Sequence, residues 1–184
     1  MKRISKLLCF LAVAAFFSCG NSNEKNDKPE SNQMVAEPVT ETLTPVYDDD
    51  ADPMSQLDEA LNKAQNEGKH VIVQVGGNWC PWCLRFADFI TKNADINAIV
   101  NNAFVYVHVN VYRIDENGKR NVNEDAMSRI GNPMRFGYPV LVVLDADGNV
   151  LHIQDSAMLE DGQSYNADFV KRFFEMWTPN AVRG

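Results

Sequence analysis

Residues 70–90 read HVIVQVGGNWCPWCLRFADFI and change period in the middle. The opening HVIVQV is a β-branched run of the length of a buried strand. Gly76 and Gly77 let the chain leave that strand. Leu84, Phe86, Ala87 and Ile90 then recur at helical spacing. A buried strand feeding straight into an amphipathic helix needs a partner layer on each side, which restricts the chain to layered α/β architectures.

The remaining elements extend that frame. Residues 54–67 form a predicted helix, with Met54, Leu57, Leu61 and Ala64 on one face and Gly68 as its stop. A second short helix is expected over 95–102 and a β-branched strand over 104–112. DENGK, residues 115–119, reads as a turn and 123–130 as a weak helix. PVLVVLDADGNVLHIQ, residues 139–154, reads as two strands around a turn at 145–149, followed by an amphipathic helix over 166–177. The first two strands, joined through helices, should be parallel, and the last two antiparallel. The expected fold is α/β, a central mixed sheet with helices on both faces, over residues 54–184.

The N-terminal third has a different character. Lys2, Arg3 and Lys6 precede a short apolar run over 7–17, then Ser18 and Cys19. That run falls short of the ~20 residues of a comfortable membrane span, and 1–18 reads as an export signal. FFSC, residues 16–19, resembles the lipobox of bacterial lipoproteins, with Phe16 where that family usually has Leu. The resemblance implies lipidation of Cys19 and a membrane-anchored lipoprotein facing the periplasm or the cell surface. Residues 19–53 are polar and lack apolar periodicity, so they read as the lipidated cysteine followed by a disordered linker.

Charge and cysteine usage narrow the function. Without residues 1–18 the chain keeps 14 basic against 25 acidic residues, a net charge of −11. So acidic a chain is a poor match for nucleic acid or anionic lipid, and membrane attachment would come from the anchor. Cys9 lies in the signal and Cys19 at its end, leaving Cys80 and Cys83 for the folded domain. A cross-link spanning three residues constrains the unfolded chain very little, so stapling is a weak explanation for the pair.

Structural zinc needs four ligands, and His70, His108 and His152 are scattered over predicted strands, where they read as surface or strand-edge residues. No metal and no cofactor is expected. DADGN, residues 145–149, lacks the distal Glu of a calcium loop and reads as a hairpin turn.

In the predicted layout Cys80 stands at a helix N-terminus, with Pro81 at the first helical position, where its missing N–H costs nothing. Cys83 is one turn in, on the same face, so the sulfurs can meet. The helix dipole favours a thiolate at Cys80, which makes it the attacking group. Cys83, deeper, would resolve the mixed disulfide.

WCPWC at 79–83, the strand before it, GYP at 137–139 and the terminal hairpin and helix together resemble the thioredoxin family, over roughly residues 54–178. The resemblance implies a thioredoxin fold and a protein thiol-disulfide oxidoreductase. Cys80 and Cys83 would be its redox couple. Trp79, Pro81, Trp82, Tyr138 and Pro139 would form the substrate-contacting surface, with Pro139 the counterpart of the family's cis-proline. The Tyr138 backbone would pair with an extended substrate segment.

Partners would be proteins carrying disulfides or thiols, with a membrane thiol relay or another redox protein supplying electrons to a reductase. The sequence departs from the family in two places. Gln74 stands where thioredoxins carry a buried Asp, and Leu84 where they usually have Lys. The competing expectation is a non-redox peptide-binding or chaperone-like module gripping peptides around Trp79, Trp82 and Tyr138. The polar insertion over 112–136 is expected to border the site and contribute to partner choice.

Overall fold

The computed structural model describes residues 43–183. The expected signal, Cys19 and most of the expected linker lie outside the described residues.

Helix α1, Pro53–Glu67, starts where Asp52 accepts a 2.8 Å hydrogen bond from the Ser55 amide and Pro53 takes the first position. It stops at Gly68, whose φ of 64° is the left-handed cap that glycine adopts without a Cβ penalty. Strand β1, His70–Gly76, follows, then α2, Pro81–Lys92, and α3, Ala94–Ala103. Strand β2, Phe104–Asn110, runs parallel to β1 in the register His70 to Phe104. After a short excursion come β5, Val140–Leu144, and β6, Val150–Asp155, which pair antiparallel. The main sheet has the order β2-β1-β5-β6.

Alternation on β1 splits the core between two faces. Val71, Val73 and Val75 pack with Leu57, Leu61, Val109 and Met127 on the α1 side. Ile72 packs with Phe86, Ile96, Leu141, Val143 and Phe174 on the other. Each such side chain contributes about 1.5–3 kcal/mol by leaving water. Gln74 shares the face of Ile72 and is the one polar residue along β1 from Val71 to Val75; it is fully buried. C-terminal helix α5, Ala167–Met176, closes that face with Val170, Phe173 and Phe174.

The excursion over 112–136 is partly regular. The expected strand 104–112 ends early: the chain bends at Val111, and Tyr112–Ile114 becomes a separate strand, β3. It pairs with β4, Arg120–Val122, as a hairpin around the DENGK turn. Helix α4, Glu124–Arg129, follows and buries Ala126 and Met127. Sequence reading missed a two-stranded hairpin, β7, Glu160–Asp161, with β8, Ser164–Tyr165, and a last short helix α6, Pro179–Arg183. Two-residue strands carry too little periodicity to be recognised.

Two expectations are corrected. Residues 43–52 are not linker: Tyr47 is buried at 5% exposure and packs with Cys80, Cys83 and Leu84. One histidine departs from the expected surface or strand-edge placement. His70 opens the central strand, is 8% exposed and has Nδ1 2.9 Å from the Trp177 carbonyl. His108 is on edge strand β2, yet its Nε2 is buried without a partner among the described residues. His152, on edge strand β6, stacks on Trp177.

The 145–149 turn closes on itself: the Asp145 carboxylate accepts from the Asp147 and Asn149 amides and from the Asn149 side chain.

Candidate active site

Cys80 is the N-cap of α2, with Pro81 exposed behind it at the first helical position. Cys80 and Cys83 are joined as a disulfide, their Cα atoms 5.3 Å apart. The spacing in sequence produces this because one helical turn brings i and i+3 together. The two sulfurs are unequal. The Cys83 amide points at Cys80 Sγ from 3.2 Å, and Cys80 keeps 6% exposure against none for Cys83. In the reduced protein that N–H and the helix dipole favour a thiolate at Cys80.

The Tyr138–Pro139 peptide is cis. Its loop lies across the helix end, with the Tyr138 carbonyl 3.6 Å from Cys80 Sγ. Trp79 is 42% exposed and meets the Tyr138 ring edge-on at 5.6 Å. Burial, and then the neighbouring Tyr112 hydroxyl, push Tyr138 up to about 12, so it stays neutral. Trp82 packs against the cluster of Cys80, Cys83 and Leu84 and also on Tyr165 at 5.4 Å, with the Arg85 guanidinium 4.7 Å above its ring.

The excursion does border this surface. Tyr112 of β3 lies 5.6 Å from Trp79, and Arg120 of β4 stands 5.2 Å over Trp79 and 5.3 Å over Tyr112. Trp79, Tyr112, Tyr138 and Arg120 form a shelf beside Cys80.

Behind the disulfide lies a neutral polar network. Gln74 Nε2 donates to the Cys83 carbonyl at 3.0 Å and to Tyr47 Oη at 2.7 Å. The Tyr106 hydroxyl donates to Gln74 Oε1 at 2.6 Å. Burial raises both tyrosine hydroxyls and drives His108 down to about 4. The rings of Tyr47 and Tyr106 each meet His108 at 5.2 Å.

Sequence reading missed Tyr47 and the residues that hold it. Asn78 Oδ1 accepts from the Val46 and Tyr47 amides, both at 3.0 Å, and its Nδ2 donates to the Tyr47 carbonyl at 2.8 Å. Asn110 Nδ2 donates to the Asp48 carbonyl at 2.9 Å. The available signal was the apolar group Leu43, Val46 and Tyr47 ahead of the acidic run at 48–50.

Comparison with known proteins agrees with this architecture. A family model described as Thioredoxin-like matches residues 52–146. The thiol:disulfide interchange protein DsbD of Colwellia psychrerythraea is 24% identical over 122 residues, which are 66% of this chain and 19% of that protein. The chain thus spans about a fifth of the length of that relative. The solved disulphide isomerase of Xylella fastidiosa Temecula1 superposes with a TM-score of 0.60 at 24% identity, over 72% of this chain and 96% of that one, a likeness of fold. The chain belongs to the thioredoxin-like family.

Proposed function

From that membership we propose that the protein is a thiol-disulfide oxidoreductase acting on protein disulfides through Cys80 and Cys83. The observation that carries the reading is the inequality of the two sulfurs. Cys80 is at the helix N-terminus under an aimed N–H, and Cys83 is sealed beneath it. A pair placed for stability alone has no use for this asymmetry.

Cys80 thiolate attacks one sulfur of a substrate disulfide and forms a mixed disulfide. Cys83 then attacks Cys80 Sγ, the internal disulfide forms, and the substrate leaves reduced. Trp79, Pro81, Trp82 and Tyr138 supply the contact surface, and Pro139, itself buried, holds the loop that faces the cysteines. The Tyr138 carbonyl accepts from an extended substrate segment. The Tyr112–Arg120 hairpin takes part in partner choice. The names of the compared proteins, an interchange protein and a disulphide isomerase, accord with this chemistry.

The reductase direction is the one we favour, with electrons from a membrane thiol relay. The proposed setting is an exported protein: residues 1–18 direct it out, Cys19 carries the lipid, and the segment to residue 42 tethers the domain.

The test is a Cys83→Ala variant of the full chain expressed in its own cells. It should accumulate mixed disulfides through Cys80, seen as thiol-sensitive adducts. Thiol trapping of the wild type across glutathione ratios should show the pair changing state. A pair that never oxidises across that range defeats the reading and leaves the peptide-binding module.

A further inference from the structure

Resolution requires Cys83 to become a thiolate in a fully buried place. Burial alone opposes this, because the charged sulfur loses its water. Gln74 can neither ionise nor offer its oxygen to the sulfur, since Tyr106 occupies that oxygen and both Nε2 hydrogens are spent on Tyr47 and the Cys83 carbonyl.

Tyr47 packs in the same cluster as Cys83 and brings a hydroxyl to it. Gly76 has no side chain, and the place where its Cβ would stand is in close contact with both Cys83 Sγ and Tyr47 Oη, the latter 2.8 Å away. Tyr47 Oη already accepts from Gln74, so its own hydrogen must point elsewhere. Among the described residues it has no other acceptor. The oxygen is held from behind by Gln74, and the backbone on either side of it is clamped by Asn78.

Resting on the proposed exchange reaction, the geometry points to Tyr47 as a positioning residue that donates its hydroxyl to the Cys83 sulfur once the disulfide opens, and so sets the acidity of the resolving thiol. Tyr47 comes from the segment before α1, outside the sheet that carries the couple.

The step balances. In the mixed disulfide, Cys83 gives up its proton and its sulfur attacks Cys80 Sγ. The Cys80–Cys83 bond forms and the Cys80–substrate bond breaks. The substrate thiolate leaves with the electron pair and takes up one proton. The oxidant is the substrate disulfide itself.

The tyrosine and histidine side chains facing this place are neutral at working pH. Tyr106 and Tyr165 are raised by burial, and His108 is lowered to about 4. Asp49, on the strap beside Tyr47, is bonded to Asn78 and Asn110. A change in the pH profile therefore reports on Cys83 and the hydroxyl beside it.

The experiment uses reduced full-length protein and oxidised glutathione as the probe. Acid quenching and mass spectrometry count the Cys80–glutathione adduct as it forms and decays between mildly acidic and alkaline pH. In Tyr47→Phe the attack by Cys80 should be unchanged. Decay of the adduct should slow roughly tenfold at neutral pH and recover about one pH unit higher, the scale of one lost hydrogen bond to a charged sulfur.

Superimposable decay profiles for wild type and Tyr47→Phe overturn the assignment. A wild type that forms no adduct, with the pair never oxidising, removes the exchange reaction itself and the assignment with it. Should Tyr47→Phe fail to fold, a fluorotyrosine at position 47 keeps the shape and makes a stronger donor. Its profile should move to lower pH, and an unmoved profile overturns the assignment equally.

Discussion

Gln74 reaches from the centre of β1 to the backbone of Cys83, donating to its carbonyl at 3.0 Å across nine residues of sequence. The same side chain gathers the hydroxyls of Tyr47 and Tyr106. One amide therefore joins the central strand, the edge strand, the motif helix and the N-terminal segment. A carboxylate here, as the family resemblance implies, would bring a charge; the amide keeps the space neutral.

Replacing Gln74 with Leu leaves two buried hydroxyls without their partner. Each lost pairing costs about 1–3 kcal/mol when the group stays buried. The denaturant midpoint should fall accordingly. A midpoint within error of the wild type would mean that water takes over both bonds.

Asn78→Ala removes the clamp on residues 46–47. The segment 43–50 should then become susceptible to limited proteolysis while α1 and the sheet remain resistant. Cleavage mapped by mass spectrometry decides it, and an unchanged pattern would assign the anchoring to Asn110 and the Tyr47 ring.

Gly76→Ala places a methyl against both Cys83 Sγ and Tyr47 Oη, 2.8 Å from the latter. Overpacking of this kind costs about 1–3 kcal/mol. Tyr47 or α2 must shift, so both the urea midpoint and the redox potential of the pair should change. A potential equal to wild type would show that the strap yields and the helix does not.

His108 sets an acid limb. Its folded value, about 4, lies below the ordinary 6.5 because burial disfavours the imidazolium. Below 6.5 the unfolded chain binds a proton that the folded chain refuses. Stability is therefore complete above 6.5 and falls as pH drops through that window towards 4, by up to about 3 kcal/mol. Asp52, Asp115 and Asp145 are held below the usual carboxylate value and lose their contribution at lower pH still. Guanidinium midpoints at pH 7, 5 and 4 should show the slope in wild type and a flatter one in His108→Phe.

Arg120→Ala strips the cation from the Trp79–Tyr112 shelf. An exposed cation–π contact is worth about 0.5–1 kcal/mol, so stability should barely move. Trp79 fluorescence should change, and kcat/KM towards a protein disulfide should fall further than towards glutathione. Equal losses on both would show that the hairpin does not discriminate partners.

Local pattern was enough for most of the frame. The β-branched run of β1, the Gly-Gly exit, Pro81 behind Cys80 and the period of α1, α2 and α5 are each written within a dozen residues. Helix and strand periodicity are local properties, and an i, i+3 pair at a helix start already sets which sulfur is outermost. Parallel pairing of β1 with β2 followed from the helical crossover between them.

Other features depended on contacts that no local window contains. Tyr47 lies in an acidic, proline-bearing stretch that resembles linker; it becomes core because Gln74, 27 residues later, gives its hydroxyl a partner. His108 looks like any polar position on an edge strand until two tyrosine rings cover it. Trp79 and Trp82 each stand immediately before one cysteine of the motif. The helix turn sends one to the Tyr112–Tyr138 shelf and the other to Tyr165. The sequence by itself determined the main elements, their order and the placing of Cys80 and Cys83 at a helix start, because backbone propensity and apolar period act over a few residues. Only the tertiary structure decided what stands behind Cys83, because burial and hydrogen-bond satisfaction depend on which distant segments meet.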